Sequence, residues 1–298
     1  MITKLKMGKT TFSTMMPKNL LLGFEHGYNA LGGIKAIDVD KWATFKQIIR
    51  QLKQPEAKEM YKTITIDTAG IAYNLCEEYI CKQQDVDKIG DIPYGAGYGM
   101  VEKEFQNCLR EITQFGYGLV LISHAAPRIE KTPDGSEIEI VAPDLPKRGY
   151  KVINQLVDII GYIGITWDEG GKPTRVLYTR KTPKIMAGSR FKYLPAIIPF
   201  SYDALTEAIA IAINQEAEES NNKIVDHIEK KEEVERTFME IREEAREVWE
   251  KLVTTDKNNV EKLNKIILKT FGKQIKLSEI TENQKDLFEI VLAEMKEI

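Results

Sequence analysis

Two short segments constrain this chain more than anything else in it: Met7-Gly8-Lys9-Thr10-Thr11 and, further on, Thr63-Ile64-Thr65-Ile66-Asp67-Thr68. They are the two halves of a nucleoside triphosphate site. A glycine-lysine-threonine turn can set a lysine on the β- and γ-phosphates and a hydroxyl on Mg2+, and an acidic residue ending a buried strand can hold the same ion. Phosphate loops follow G-x-x-x-x-G-K-[ST] after a buried strand. Here Thr3 stands where the first glycine falls, and Met1 and Ile2 leave no room for an apolar strand. The expectation is a chain that starts inside its own phosphate loop.

Hydrophobic patterning places these segments in an alternating order. A short helix is predicted over 9–16, a buried strand over 19–24, a helix over 40–52 with Asp40 as its cap, and a buried strand over 63–66. Helices over 71–81 and 101–115 flank a glycine-rich stretch at 90–99, which suggests a mobile loop carrying Tyr94 and Tyr98. A further strand is predicted over 118–123. Strand, helix, strand, helix, strand is the pattern of a mostly parallel sheet with crossovers on its faces. A small hairpin at 132–136 and two late strands, over 157–166 and 175–179, can extend the sheet in antiparallel sense.

From residue 202 onward Gly272 is the only glycine and charges crowd in, which predicts a helical appendage over 201–298 after a core over 1–200. Its first element is a long amphipathic helix over 221–252, followed by helices over 258–270 and 281–295. At 298 residues and 43% hydrophobic, the chain is long enough for a core of about 200 residues plus this appendage. A net charge of −3 argues against a generally basic nucleic-acid coat. Cys76, Cys81 and Cys108 lack metal-ligand spacing and suit helix packing in a reduced cytoplasmic protein. No apolar run reaches the roughly 18 residues a membrane span needs, so no membrane partner is expected.

Each candidate residue has a plain alternative. Lys9 and Thr10 are phosphate and Mg2+ residues, or a surface G-K-T met by chance; Asp67 is an ion ligand, or a cap of the next helix. Glu25, ending the strand before, is placed to activate an attacking water, with the adjacent His26 to orient it, or is a solvated loop residue. His124 follows the strand at 118–123 and can sense a γ-phosphate, or anchor a loop by hydrogen bonding. Arg175, Arg180, Lys181, Lys184 and Arg190 surround the last strand. They form a cation cluster for a neighbour's phosphates or a DNA backbone, or a basic rim. Tyr94 and Tyr98 can stack bases or pack the loop onto its own core.

The pieces Gly8-Lys9-Thr10-Thr11-Phe12, Leu20-Leu21-Leu22-Gly23-Phe24-Glu25-His26-Gly27-Tyr28 and Ile64-Thr65-Ile66-Asp67-Thr68, with Leu121-Ile122-Ser123-His124 and Arg180-Lys181-Thr182-Pro183-Lys184, occur in an order that resembles the RecA-like P-loop ATPases of phages and prophages, near the single-strand-annealing ATPases. The resemblance covers about residues 7–200. It implies an α/β, RecA-like P-loop NTPase core with a mostly parallel central sheet, binding ATP with Mg2+. Gly8, Lys9, Thr10 and Thr11 correspond to the Walker A segment, Glu25 to the catalytic glutamate, Asp67 to Walker B and His124 to a polar sensor.

The implied setting is phage DNA recombination or replication in the cytoplasm of a bacterial host. Single-stranded DNA, a homo-oligomer and phage recombination or replication proteins would be the partners, and Arg180, Lys181 and Lys184 the trans or DNA contacts. The chain departs from the family at its start, where the first strand and first loop glycine are expected to be absent. A binding module without hydrolysis and a non-enzymatic helical interaction protein remain as alternatives.

Overall fold

The computed structural model describes residues 1–3, 7–25, 27, 32–132, 134–168, 170–219, 236–256 and 258–298. In chain order the first elements are β1 (Ile2–Thr3), α1 (Lys9–Thr14), β2 (Asn19–Gly23), β3 (Lys35–Asp38), α2 (Trp42–Leu52), α3 (Pro55–Met60), β4 (Thr63–Asp67) and α4 (Ala69–Gln83). There follow α5 (Ala96–Gln114), β5 (Gly118–Lys131), β6 (Glu137–Pro143), α6 (Lys147–Leu156), β7 (Ile159–Ile160), β8 (Tyr162–Trp167), β9 (Pro173–Tyr178), β10 (Gly188–Ser189) and β11 (Ile197–Pro199). The helices α7 (Tyr202–Glu219), α8 (Phe238–Thr255), α9 (Asn259–Phe271) and α10 (Lys285–Lys296) close the chain.

The central sheet runs β11-β9-β8-β1-β5-β4-β2-β3. From β8 through β3 every pairing is parallel, and β9 and β11 add antiparallel strands at one edge. The α/β class with a mostly parallel sheet and helices after it is what the alternating pattern implied. Short buried strands such as Leu20-Leu21-Leu22, apolar on both faces, need cover on both sides.

The period of two shows how that cover is divided. Ile64 and Ile66 of β4, with Leu119 and Leu121 of β5, join the main core with α2, α4, α5 and α6. Ile2 pairs with Ser123, so it shares the face of Leu121, and Met1 falls on the other face. Met1 packs there with Ile163, Leu177 and Ile198 and with Ala208 and Ala212 of α7. Helices therefore lie on both faces of the sheet. In the main core Phe105 sits between Trp42 and Tyr73, at ring-centroid distances of 5.9 and 5.1 Å, and Trp42 Nε1 donates to Glu104 Oε1 at 3.0 Å.

Several expectations are corrected. A first strand is present: Ile2–Thr3 lies between β5 and β8, with Ile2 N donating to Gly161 O at 2.8 Å and Ser123 N to Met1 O at 2.9 Å. Two residues suffice because both neighbours supply hydrogen-bond partners. Beside it an apolar cavity of about 550 Å³ is lined by Phe12, Leu119, Leu121, Ile159 and Ile160 among others. Helix α2 begins after Lys41, without a side-chain cap from Asp40.

The glycine-rich stretch is ordered as two 3-10 turns and the first turn of α5. Gly97 is required there, because a Cβ would lie 2.7 Å from Ile92 Cδ1 and 2.8 Å from Ile89 O. Strand β5 continues past Ser123 to Lys131 and forms a hairpin with β6.

The chain divides into two compact units, Met1–Ile224 and Val225–Ile298. The first runs past the expected boundary at 200 because α7 is apolar on the side that covers β8, β9 and β11. In the second, Ile241, Leu263, Ile267, Phe288 and Val291 bring α8, α9 and α10 around one core. The long helix expected over 221–252 is not continuous. Thr237 is extended (φ −72°, ψ 157°) and caps α8, accepting from Glu240 N while Glu240 Oε2 accepts from Thr237 N. Residues 221–235 of that expectation lie outside the described residues. Among the described residues no helix is long and apolar enough to cross a membrane.

Candidate nucleotide site

The site lies where β1, β2 and β4 end, beside Ser123 and His124 in the middle of β5, where that strand passes from its parallel neighbours to the hairpin with β6. Parallel strands deliver their carboxyl ends to one edge, so residues distant in sequence arrive together. Gly8, at φ +90°, turns the chain into α1, and Lys9 and Thr10 open that helix. The Thr10 hydroxyl donates to Asp67 Oδ2 at 2.7 Å, joining the two sequence segments. Glu25 stands two residues beyond β2, where Phe24 N and Glu25 N both donate to Asp67 O, at 2.7 and 3.0 Å. Thr11 is exposed on the outer side of α1, where Thr14 Oγ1 donates to its carbonyl.

Lys9 is buried and its ammonium turns toward β5, donating to Ser123 O at 3.3 Å and lying 3.1 Å from His124 Nδ1. An ammonium has no acceptor, so Nδ1 accepts and the neutral imidazole carries its proton on Nε2. That nitrogen donates to Glu25 Oε2 at 2.8 Å. One ring thus holds both the lysine and the glutamate. Burial pushes the Lys9 ammonium below its usual range, with Asp67 and Glu25 opposing. Burial pushes the Asp67 carboxyl above its usual range, against the Thr10 hydrogen bond and the Lys9 charge.

The donor set suits Mg2+ and phosphate. A hydroxyl and a carboxylate side by side are hard oxygen ligands, which magnesium takes together with phosphate oxygens and water. Thr10 and Asp67 would hold the ion and Lys9 the phosphates; the bound ion would neutralise phosphate charge. Residues 4–6 of the loop lie outside the described residues, as does His26.

The cations of the basic cluster have separate partners. Arg180 donates to the carbonyls of Ser189 (2.8 Å), Lys192 (2.9 Å), Phe191 and Leu194, so its guanidinium ties down the segment before β11. Within the chain these bonds engage the Arg180 guanidinium. Lys181 pairs with Glu130 at 3.2 Å on the surface. Lys184 is exposed, and its carbonyl accepts from Val141 N at 2.8 Å. Arg190 pairs with Asp158 at 3.0 Å. Tyr94 is fully exposed with φ 58°, and Tyr98 lies under the Arg148 guanidinium at 5.9 Å.

Two contacts escaped the sequence reading, although Ser123 lay in a matched segment and Arg175 in the cation cluster. Ser123 contributes through its backbone carbonyl, which no residue type signals. Arg175 reaches the loop itself, its Nη1 donating to Met7 O at 3.1 Å across 168 positions.

Parallel strand ends gathering a glycine-lysine-threonine turn, an acid and a second carboxylate define a P-loop nucleotide-binding domain. A family model described as AAA domain matches residues 1–191, and the chain belongs to that family. It is also similar to the SPbeta prophage-derived uncharacterized protein YorG of Bacillus subtilis (strain 168), at 29% identity over 301 residues, spanning 98% of this chain and 90% of the relative.

Proposed function

We propose that this protein is an Mg2+-dependent ATPase of RecA-like type, working in phage DNA recombination or replication. The observation that carries the reading is the 2.7 Å hydrogen bond from Thr10 to Asp67, which puts the two oxygen ligands of a nucleotide-bound ion side by side. Glu25 then serves as the base for the attacking water, with His124 orienting it, and Lys9 stabilises the charge that develops on the phosphates. The prophage origin in the relative's name supports the phage setting. Single-stranded DNA and a homo-oligomer are the proposed partners, with Lys181 and Lys184 as exposed cations for a DNA backbone or a neighbour's nucleotide.

ATP titration of the whole protein and of Lys9→Ala tests the binding half. Clear binding by the first and weakened binding by the second is the expected result; equal affinity, or none in either, removes the reading. Phosphate release with and without single-stranded DNA tests the rest. A second reading, nucleotide binding without turnover, is favoured by the way Ser123 O and His124 hold Lys9 toward β5. Tight ATP binding with no phosphate release would select it.

A further inference from the structure

We propose that Arg175 is a positioning residue of the phosphate loop, acting within its own chain by pinning the Met7 carbonyl from outside. The inference rests on the nucleotide-binding reading of Lys9 and Thr10 and adds a residue from the antiparallel edge of the sheet.

Three contacts converge on the turn into α1. Arg175 Nη1 donates to Met7 O at 3.1 Å. Its guanidinium lies over the Phe200 ring, 5.6 Å from the centroid, and Phe200 stacks on Phe12 of α1 at 4.8 Å and 16°. Phe200 N donates to Arg175 O at 3.1 Å, so the arginine and its aromatic bed are held together by backbone. A Cβ on Gly8 would lie 2.7 Å from Arg175 Nη1. Gly8 therefore serves twice, by adopting φ +90° and by letting the guanidinium approach.

Peptide geometry turns this contact into a function. In a trans peptide the C=O and N–H point in opposite directions. Among the described residues Asp67-Thr68 is the one cis bond, so Met7-Gly8 is trans. Fixing Met7 O on Arg175 aims the Gly8 N–H away from β9, as a loop that binds anions through its amides requires. Arginine suits the task because its planar fork lies on an aromatic ring while donating at its edge. Phosphates would then meet an amide already oriented, and less of their binding energy would be spent ordering the loop.

The test uses the full-length protein and its Arg175→Ala and Arg175→Lys variants. Order parameters of the Gly8 and Lys9 amides are measured by 15N NMR relaxation without nucleotide, and ATP binding and turnover are measured alongside, with Lys9→Ala as control. Arg175→Ala is expected to lower the Gly8 order parameter from about 0.85 toward about 0.6 and to weaken ATP about tenfold, with KM rising more than kcat falls and thermal stability little changed. Arg175→Lys, which can still donate to Met7 O, should recover part of both effects. An unchanged order parameter overturns the clamp, and a lowered one with unchanged ATP affinity overturns its positioning role. Failure of the unmutated protein to bind ATP would sink the nucleotide reading; the relaxation measurement would then still decide whether Arg175 orders the loop.

Discussion

His124 and Glu25, 99 positions apart, form a 2.8 Å hydrogen bond at the carboxyl edge of the sheet. Because the same ring also accepts from Lys9, His124 sets the direction of both side chains. Glu25→Gln is expected to lower kcat about 10²- to 10⁴-fold, the usual worth of a positioned base, with ATP affinity nearly unchanged. His124→Ala should lower kcat less, since Glu25 stays in place but loses its orientation. Steady-state phosphate release beside an equilibrium binding titration separates the two effects.

Asp67 and Thr10 should make nucleotide binding depend on magnesium. Chelating the metal is expected to weaken ATP binding to the unmutated protein, whereas Asp67→Asn should bind weakly with or without it. Metal ligation requires the carboxylate, and burial raises the Asp67 pKa. Magnesium-assisted binding should therefore fade on acidification at a higher pH than for an exposed aspartate, and Asp67→Asn should remove that pH dependence. Titrations from pH 7.5 down to 5 check the sign.

Phe105 and Phe288 are fully buried in different units. Truncating either to alanine should cost about 3–5 kcal/mol in its own unit. Differential scanning calorimetry is expected to show Phe105→Ala lowering one transition and Phe288→Ala another. A single transition shifted equally by both would mean that the units unfold as one.

Cys76 and Cys108 are buried between α4 and α5, and burial pushes both thiols well above the usual range. Thiolate, not thiol, attacks disulfide reagents, so neither should react with an aromatic disulfide at pH 8 until the protein unfolds. Rapid labelling of either in the native state would contradict the packing of these helices.

Thr237 caps α8 through a reciprocal pair of hydrogen bonds with Glu240. Thr237→Ala is expected to destabilise the helical unit by about 1 kcal/mol, measured by urea unfolding followed through Trp249 fluorescence.

Much of the parallel core could be read from local pattern. Leu20-Leu21-Leu22 and Ile64-Thr65-Ile66 are strands because short apolar runs bounded by turns have few other folds open to them. Gly8-Lys9-Thr10 and Asp67 were legible as members of one site, and the Thr10–Asp67 hydrogen bond joins them. The α2 stripe of Trp42, Phe45, Ile48, Ile49 and Leu52 likewise follows from helical periodicity alone. The weakest expectations were those where a long-range contact overrides the local signal. Four glycines at 90–99 suggested mobility, yet Ile89 and Ile92 close over Gly97. A helix pattern running through 237 is broken by a capping box.

Residue chemistry and spacing, then, determined the class of fold and the segments that carry Lys9, Glu25, Asp67 and His124, whereas β5 runs on past His124 because β6 pairs with it. Tertiary structure decided who meets whom. It turned Lys9 toward Ser123 and His124, committed Arg180 to backbone carbonyls near β11, and brought Arg175 to Met7. Periodicity is a property of neighbours along the chain and survives in one dimension. A hydrogen bond between residues 168 apart depends on sheet order and strand register, which the packed layers set together.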